Sequence, residues 1–239
     1  MLLELLNEVV DIDTDIFLSL NRMHSPFFDY FMSTYSGKWI WIPMYAAIWY
    51  VMLRNFHWKV TLFCMVGLAL VITIADQTGA TLIRPYVERL RPSNLENPIS
   101  DMVHIVNGRR GGRYGFPSCH AANTFALTVF LSLLFKNKSL TFMLIFWATL
   151  NSYSRIYLGV HYPGDILFGT LAGCLIGYLM YLLYSFIHKR IFHQPRCISN
   201  KYTASGYLIN DINLLFTVLL LTYFMIILLG FITAHTLNL

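Results

Sequence analysis

The chain has 239 residues, 56% of them hydrophobic and only 12% charged, with a mean hydropathy of +0.56. A soluble domain carries about 25% charged residues, and the apolar residues here run in long blocks, which excludes a water-soluble globule and predicts a polytopic membrane protein. The net charge of +5 would point to nucleic acid in a soluble domain, but basic loops on one side of a bilayer account for it with no nucleic-acid partner.

Residues 1–20 read as an amphipathic helix. Leu2, Leu5, Leu6, Val9, Ile16 and Leu20 share one face, with Glu4, Glu8, Asp11 and Asp15 elsewhere. Two readings stand: a helix on the membrane surface or one packed on neighbouring protein. Four acids by Asp13 and no basic run argue against a cleaved signal peptide. Asn21 to Pro26 breaks the helix, and Phe27 to Phe31 can form a second interfacial turn. Residues 1–35 are therefore set apart as an N-terminal interfacial segment, and 36–239 as the membrane domain.

Six spans are predicted there, making an all-α integral membrane protein. The first, Trp39 to Leu53, is short for a bilayer that needs roughly 20 residues; extending it back over Ser36 and Gly37, with Lys38 snorkelling, restores the length. The second runs from Val60 to Ile83 and holds Asp76. That acid is either functional or a structural partner for an arginine or a backbone group. A polar loop over 85–116, rich in glycine and arginine, precedes span three (Ser118 to Phe135). Span four is Leu140 to Tyr157 and span five Gly164 to Ile187, with Gly169, Gly173 and Gly177 as a close-packing face. Span six is Ile212 to Ile232. The loops that carry Arg54 and Lys59, Lys136 and Lys138, and Lys189, Arg190, Arg196 and Lys201 contain no acid. They fall on one side of six alternating spans, which predicts that side as cytoplasmic.

Three polar runs lie at the opposite ends of the spans: Arg84-x6-Arg91-Pro92, Pro117-Ser118-Cys119-His120 and Ser154-Arg155-x5-His161-x3-Asp165. Together they supply three arginines, two histidines, a serine and a carboxylate. Guanidinium forks match phosphate oxygens two at a time. A histidine held by a carboxylate can attack phosphorus, and a second histidine can protonate what leaves. His161 and Asp165 are one helical turn apart, with Pro163 at the expected first helical position, so Asp165 can hold one imidazole nitrogen. Ser118 is a natural N-cap, and a helix start there would present backbone N–H groups to an anion. Arg84 and Arg91 converge only if the end of span two bends. Arg155 also suits a helix C-terminus.

The three runs resemble the motifs of the type-2 phosphatidic acid phosphatase (PAP2) superfamily, K-x6-RP, PSGH and SR-x5-H-x3-D, in its membrane-bound lipid phosphatase branch. The resemblance covers about Val60 to His188. Arg84 stands where the family has lysine, and Cys119 where it has glycine, which would narrow the pocket. The resemblance implies that His161 is the nucleophile and forms a phosphohistidine. It implies that His120 protonates the leaving oxygen and then helps activate water, and that Arg84, Arg91, Ser118 and Arg155 hold the phosphate. No carboxylate cluster is present for magnesium, so neither a metal nor another cofactor is expected.

The remaining histidines, His24, His57, His104, His188, His193 and His235, read as loop or interfacial residues without catalytic company. The Gly/Arg loop 107–113 is either a flexible cover or, through Arg109, Arg110 and Arg113, a clamp on a substrate headgroup. The four cysteines show neither disulfide nor zinc spacing. The expected protein is a bacterial inner-membrane enzyme with its site facing the periplasm. It would hydrolyse a lipid phosphate or pyrophosphate: undecaprenyl pyrophosphate, phosphatidylglycerophosphate, phosphatidate or a phosphate of lipid A. A lipid phosphotransferase using the same intermediate and a non-enzymatic membrane scaffold are the rival readings. A vanadate-dependent haloperoxidase is disfavoured by the spans.

Overall fold

The computed structural model describes residues 2–192 and 201–237. Among these the fold is helical, without strands, and two isolated antiparallel bridges join Leu90 to Tyr114 and Tyr202 to Leu208. His193, Arg196 of the basic loops and Cys197, one of the four cysteines, lie outside the described residues.

Helix α1 (Leu2–Asn21) divides along its length. Phe17 is fully buried, and Leu18 and Asn21 nearly so. Phe17 meets Tyr162 edge-on at 5.3 Å, and Asn21 Nδ2 donates to the Tyr157 carbonyl at 2.9 Å. Its earlier turns leave Leu5, Leu6, Val9 and Ile12 exposed. The C-terminal half thus packs on the protein, one of the two readings open from sequence.

Helix α2 (Pro26–Tyr35) is a full ten-residue helix rather than one turn, started by Ser25, whose Oγ accepts from the Phe28 amide. Span one does not extend back as expected. Tyr35 ends α2, Ser36 and Gly37 form a turn in which a Cβ on Gly37 would lie 2.9 Å from the Thr34 carbonyl, and a short 3₁₀ turn (Trp39–Trp41) leads into α3 (Ile42–Asn55). The physical reason is that a side chain at Gly37 would press on the Thr34 carbonyl, and the chain leaves the helix there instead of continuing it.

Helix α4 (Trp58–Gln77) passes into a π-helical stretch, Thr78–Ile83, and a single turn, α5 (Arg84–Val87), that stops at Glu88 in the left-handed region (φ 48°). Glu88 breaks the helix between Arg84 and Arg91, at the end of span two, where their spacing demanded a change of direction. Helix α6 (Cys119–Phe135) sits against α4, α7 (Lys138–Tyr157) and α8 (Pro163–Ile191). A Cβ on Gly169, Gly173 or Gly177 would overlap the carbonyls of Ser118, Ala122 and Ala126. Those glycines bring α8 against α6 and set Asp165 beside Ser118, whose amide donates to the Asp165 carbonyl at 3.0 Å. Helix α9 (Ile209–Leu237) packs on α2 and α3.

Among the described residues three helical runs are long and apolar enough to cross a bilayer: Trp58–Val87, Pro163–Ile191 and Ile209–Thr236, with mean hydropathies of 2.1, 2.0 and 2.6. Helix α6 is apolar but has only 17 residues, about 25 Å of helix.

Candidate active site

The three polar runs meet at one end of the bundle. His161 lies in the short connection between α7 and α8 and is 1% exposed. Its Nδ1 is 3.2 Å from Asp165 Oδ2 and its Nε2 is 2.9 Å from an Arg91 guanidinium nitrogen. Guanidinium only donates and ionised carboxylate only accepts. The tautomer follows: Nδ1 carries the proton and donates to Asp165, and the Nε2 lone pair accepts from Arg91. Burial, then the charges of Arg91, Arg155 and Arg84, hold the His161 imidazole well below its ordinary pKa.

Asp165 is fully buried in the first turn of α8. Oδ2 also accepts from the Tyr162 amide at 3.1 Å, and Oδ1 accepts from Arg89 at 3.1 Å. Arg91 donates from Nε to the Tyr114 carbonyl at 3.1 Å and from NH1 to the Val160 carbonyl at 3.0 Å. Burial and the neighbouring Arg84 push its pKa down to about 10. Arg84 donates to the Pro117 carbonyl at 3.2 Å and to Cys119 Sγ at 3.0 Å. Arg155 donates to Ser36 Oγ. The Nε groups of Arg84 and Arg155 are buried and have no hydrogen-bond partner. Ser118 is fully buried and caps α6, its Oγ accepting from the Ala121 amide at 3.4 Å.

His120 stands differently. It lines a 390 Å³ cavity with Arg155, Arg109 and Gly111, and a 540 Å³ cavity with Asp76, Asn123 and Asn151. Ser36, Gly37 and Lys38 border both. Cys119 borders neither: its Sγ points to the end of α4, 3.7 Å from the Asp76 carbonyl, and a Cβ on Gly79 in the π stretch would approach it to 3.0 Å. Any narrowing by Cys119 would therefore fall beside Arg84 and not in these two cavities. Both departures from the family motifs, Arg84 and Cys119, touch each other.

The loop 107–113 is tied down. Arg91 N donates to the Arg113 carbonyl at 3.1 Å and Gly115 N to the Arg89 carbonyl at 2.9 Å. Arg110 and Ser93 exchange hydrogen bonds of 2.8 and 2.6 Å, and Arg113 pairs with Glu96 at 2.7 Å. Of its three arginines, Arg109 borders the cavity beside His120.

Three features escaped the sequence. Arg89, skipped by the motif spacing, bridges Asp165 and Asp13 of α1, the latter at 2.7 Å, and lies 3.8 Å above the Tyr162 ring. Asp13 also accepts from the Gly164 amide at 2.7 Å, capping α8 from 151 residues away. His104 and His24 do have company: their rings stack at 3.7 Å, and His104 Nε2 is 3.0 Å from Asp29, which accepts from the Tyr157 hydroxyl at 2.6 Å. Both lie in loops, as read from sequence, and the partners of His104 come from α2 and α7, far away in the chain. Asp76 accepts from Asn123 Nδ2 at 3.1 Å, a partner of the structural kind but neither an arginine nor a backbone group. Among the described residues no three His, Cys, Asp or Glu side chains gather as a metal site.

A helical bundle with an Arg/His/Asp cluster at one end defines a membrane-bound phosphate-handling protein. The profile of the PAP2 superfamily matches residues 58–189, more than half of the chain. The lipid A 4'-phosphatase of Bacteroides thetaiotaomicron is 57% identical over 173 residues, 72% of this chain and 77% of that protein. The lipid A 4'-phosphatase of Porphyromonas gingivalis is 35% identical, over 76% of this chain and 77% of that protein. The crystal structure of the PAP2-type phosphatidylglycerolphosphate phosphatase of Bacillus subtilis superposes with a TM-score of 0.56 at 21% identity, over 79% of this chain and 90% of its own, a likeness of fold. The chain belongs to the PAP2 superfamily, in its branch of membrane lipid phosphatases.

Proposed function

We propose that this chain hydrolyses a phosphate monoester on a lipid A-type glycolipid, through a phosphohistidine on His161. The observation that carries the mechanism is the two-sided hold on His161, which leaves the Nε2 lone pair pointing at the arginines. On binding, the phosphate oxygens take over the Arg91 N–H groups together with the partnerless Nε groups of Arg84 and Arg155. Nε2 then attacks phosphorus. The N–P bond forms as the P–O bond to the lipid breaks, and His120, which takes up a proton as the phosphate anion docks and offsets the arginines, gives that proton to the leaving oxygen. Water next attacks phosphorus and gives a proton to His120. The N–P bond breaks, the electron pair returns to Nε2, and inorganic phosphate leaves. Three guanidinium groups neutralise the charge that develops on the oxygens, so the reaction needs no metal. Ser118 fixes the start of α6, whose N-terminal amides favour an anion.

The substrate class rests on the 57% identical relative. We assign six spans, α3, α4, α6, α7, α8 and α9, with the site at the periplasmic face of a bacterial inner membrane. In support, Phe56, Lys136, Lys189 and Ser205 border one 220 Å³ cavity, so the three basic loops share the end away from the site. The N-terminal half of α1, with its exposed apolar residues, is assigned to the membrane surface.

The test is trapping. Purified protein is mixed with ³²P-labelled glycolipid phosphate and quenched in alkaline detergent, because a phosphoramidate survives base better than acid. Label is expected on wild type and none on His161→Ala. Label on His161→Ala at the wild-type level would remove His161 as nucleophile. Repeating the assay with a lipid alcohol present, and finding phosphate on that alcohol rather than in water, would make the enzyme a phosphotransferase.

A further inference from the structure

The 540 Å³ cavity beside His120 holds more unpaired polarity than a membrane groove for acyl chains can carry. Asn151 is 4% exposed and Trp147 2%, and both border it. Asn151 Oδ1, Trp147 Nε1 and Asn123 Oδ1 are all buried without a hydrogen-bond partner. The amide orientations are fixed by chemistry. Asn123 Nδ2 faces the Asp76 carboxylate at 3.1 Å and Asn151 Nδ2 faces the Tyr35 carbonyl at 3.4 Å, both acceptors. Each amide oxygen is therefore the atom left over. The walls of the cavity thus hold two unpaired carbonyl acceptors and one indole donor just beneath the surface, beside the Asp76, Lys38 and Gln77 side chains that line it.

That donor and acceptor set selects its occupant. A hydrocarbon chain would satisfy none of these groups and would leave them buried and unpaired. A second phosphate could accept from Lys38 and the indole N–H, but it only accepts, so the two carbonyl oxygens and the Asp76 carboxylate would stay unmatched. Hydroxyl and amide groups both donate and accept, and satisfy all of them. Trp41 and Tyr45 add aromatic walls, of the kind that pack against a sugar ring. The cavity runs along α6 from His120 to Leu127, about 10 Å, the length of one to two sugar rings. His120 borders it, so whatever is attached to the oxygen that His120 protonates lies at its mouth.

We propose that this cavity is a carbohydrate subsite on the leaving-group side, in which Asp76, Asn123, Asn151 and Trp147 recognise hydroxyl or amide groups of a sugar that bears the phosphate. This deepens the phosphatase reading above and rests on it. The subsite makes the enzyme select a phosphorylated glycolipid over a glycerolipid or isoprenyl phosphate by hydrogen bonding, not by its acyl chains.

The test compares kcat/KM of the full chain, in one detergent, on two substrates with matched acyl chains: an acylated hexosamine phosphate and a diacylglycerol phosphate. Asn151→Leu and Asn123→Leu should each lower the ratio of glycolipid to glycerolipid activity about tenfold, the worth of roughly one good hydrogen bond. Trp147→Phe keeps a ring and removes only the N–H, and should lower it about threefold. An unchanged ratio in all three, whether or not total activity falls, overturns the subsite. The wild-type enzyme gives a readout independent of folding: the dephosphorylated hexosamine lipid should inhibit at about tenfold lower concentration than diacylglycerol. Equal inhibition by both also overturns the subsite. Release of phosphate from neither substrate by wild type would instead refute the phosphatase reading.

Discussion

His161 is gripped at both ring nitrogens, at 3.2 Å by Asp165 and at 2.9 Å by Arg91, and is 1% exposed. His120 faces two cavities, and no hydrogen bond to its ring is present among the described residues. On the mechanism proposed above, the contrast follows from what each ring is asked to do. A nucleophile gains from a fixed direction, since a misaligned lone pair forfeits the near-attack geometry. A proton carrier serves a lipid oxygen first and a water later, so it needs access to both. One ring is therefore built into the protein and the other is left facing the substrate.

The largest effects should break the two rings apart. His161→Ala removes the attacking atom and should abolish turnover along with the covalent label. His120→Ala should depend on the leaving group. A lipid alkoxide leaves badly without a proton and should slow by about 10²–10⁴-fold, whereas a nitrophenolate should slow far less. Equal losses on both leaving groups would remove His120 as the acid.

The grip on His161 comes in layers, and so should its loss. Asp165→Asn keeps the ring in place but removes the anion that orients Nδ1–H, and should cost roughly 10–100-fold in kcat, as for carboxylates behind other functional histidines. Arg89 acts one step further out, through Asp165. Arg89→Gln should lower kcat about tenfold or less with KM unchanged, and Arg89→Lys should recover only part, because one ammonium cannot copy the fork between Asp165 and Asp13. A rise in KM with kcat intact would make Arg89 a substrate-binding residue instead.

How much of this was legible in the sequence depended on the range of the contact. His161 and Asp165 are four residues apart on one helix start, and helical spacing alone brings them together. The need for a bend at the end of span two was readable, but its means, the left-handed Glu88 between Arg84 and Arg91 after a π stretch at Thr78–Ile83, has no simple residue signature. Asp13 lay in a helix whose face pattern spoke only of amphipathicity, and nothing local says that it will cap α8. Arg89 sat between two motif arginines with an equal claim to the phosphate. The stack of His24 on His104, and the partnerless groups of Trp147 and Asn151, are products of packing between distant segments. Gly37 was the misread residue, since a glycine inside an apolar stretch reads equally as a helix position or as a turn.

The pH dependence sharpens the same contrast. His161 is held below its ordinary pKa, so between that lowered value and about 6.5 the unfolded chain binds a proton that the folded one refuses. Stability then rises with pH across this window and is lost as pH falls through it. His161→Gln has no imidazole to protonate, so its melting temperature should fall less between pH 7 and pH 5 than that of wild type. A parallel decline in the two would mean that the imidazole is not kept neutral by the fold.

The smallest effect concerns Arg84 and Cys119, which touch at 3.0 Å. Each departs from the family pattern, and the contact explains why they are found together. The larger guanidinium, donating to the Pro117 carbonyl as well, is steadied by a soft sulfur acceptor where the family has no side chain. Arg84→Lys retains the positive charge at the phosphate but gives up the fork, and should cost less than about tenfold in kcat/KM, whereas Arg84→Ala should cost far more. Cys119→Gly removes the sulfur and adds backbone freedom at the start of α6, a penalty of about 1 kcal/mol or less on folding. Measured as a cycle on kcat/KM, the double variant Arg84→Lys/Cys119→Gly should be better than the product of the two single effects, since a lysine has no use for the sulfur and residues in contact do not act additively. If the two losses simply multiply, Cys119 does not position Arg84, and its thiol serves only the packing against Gly79.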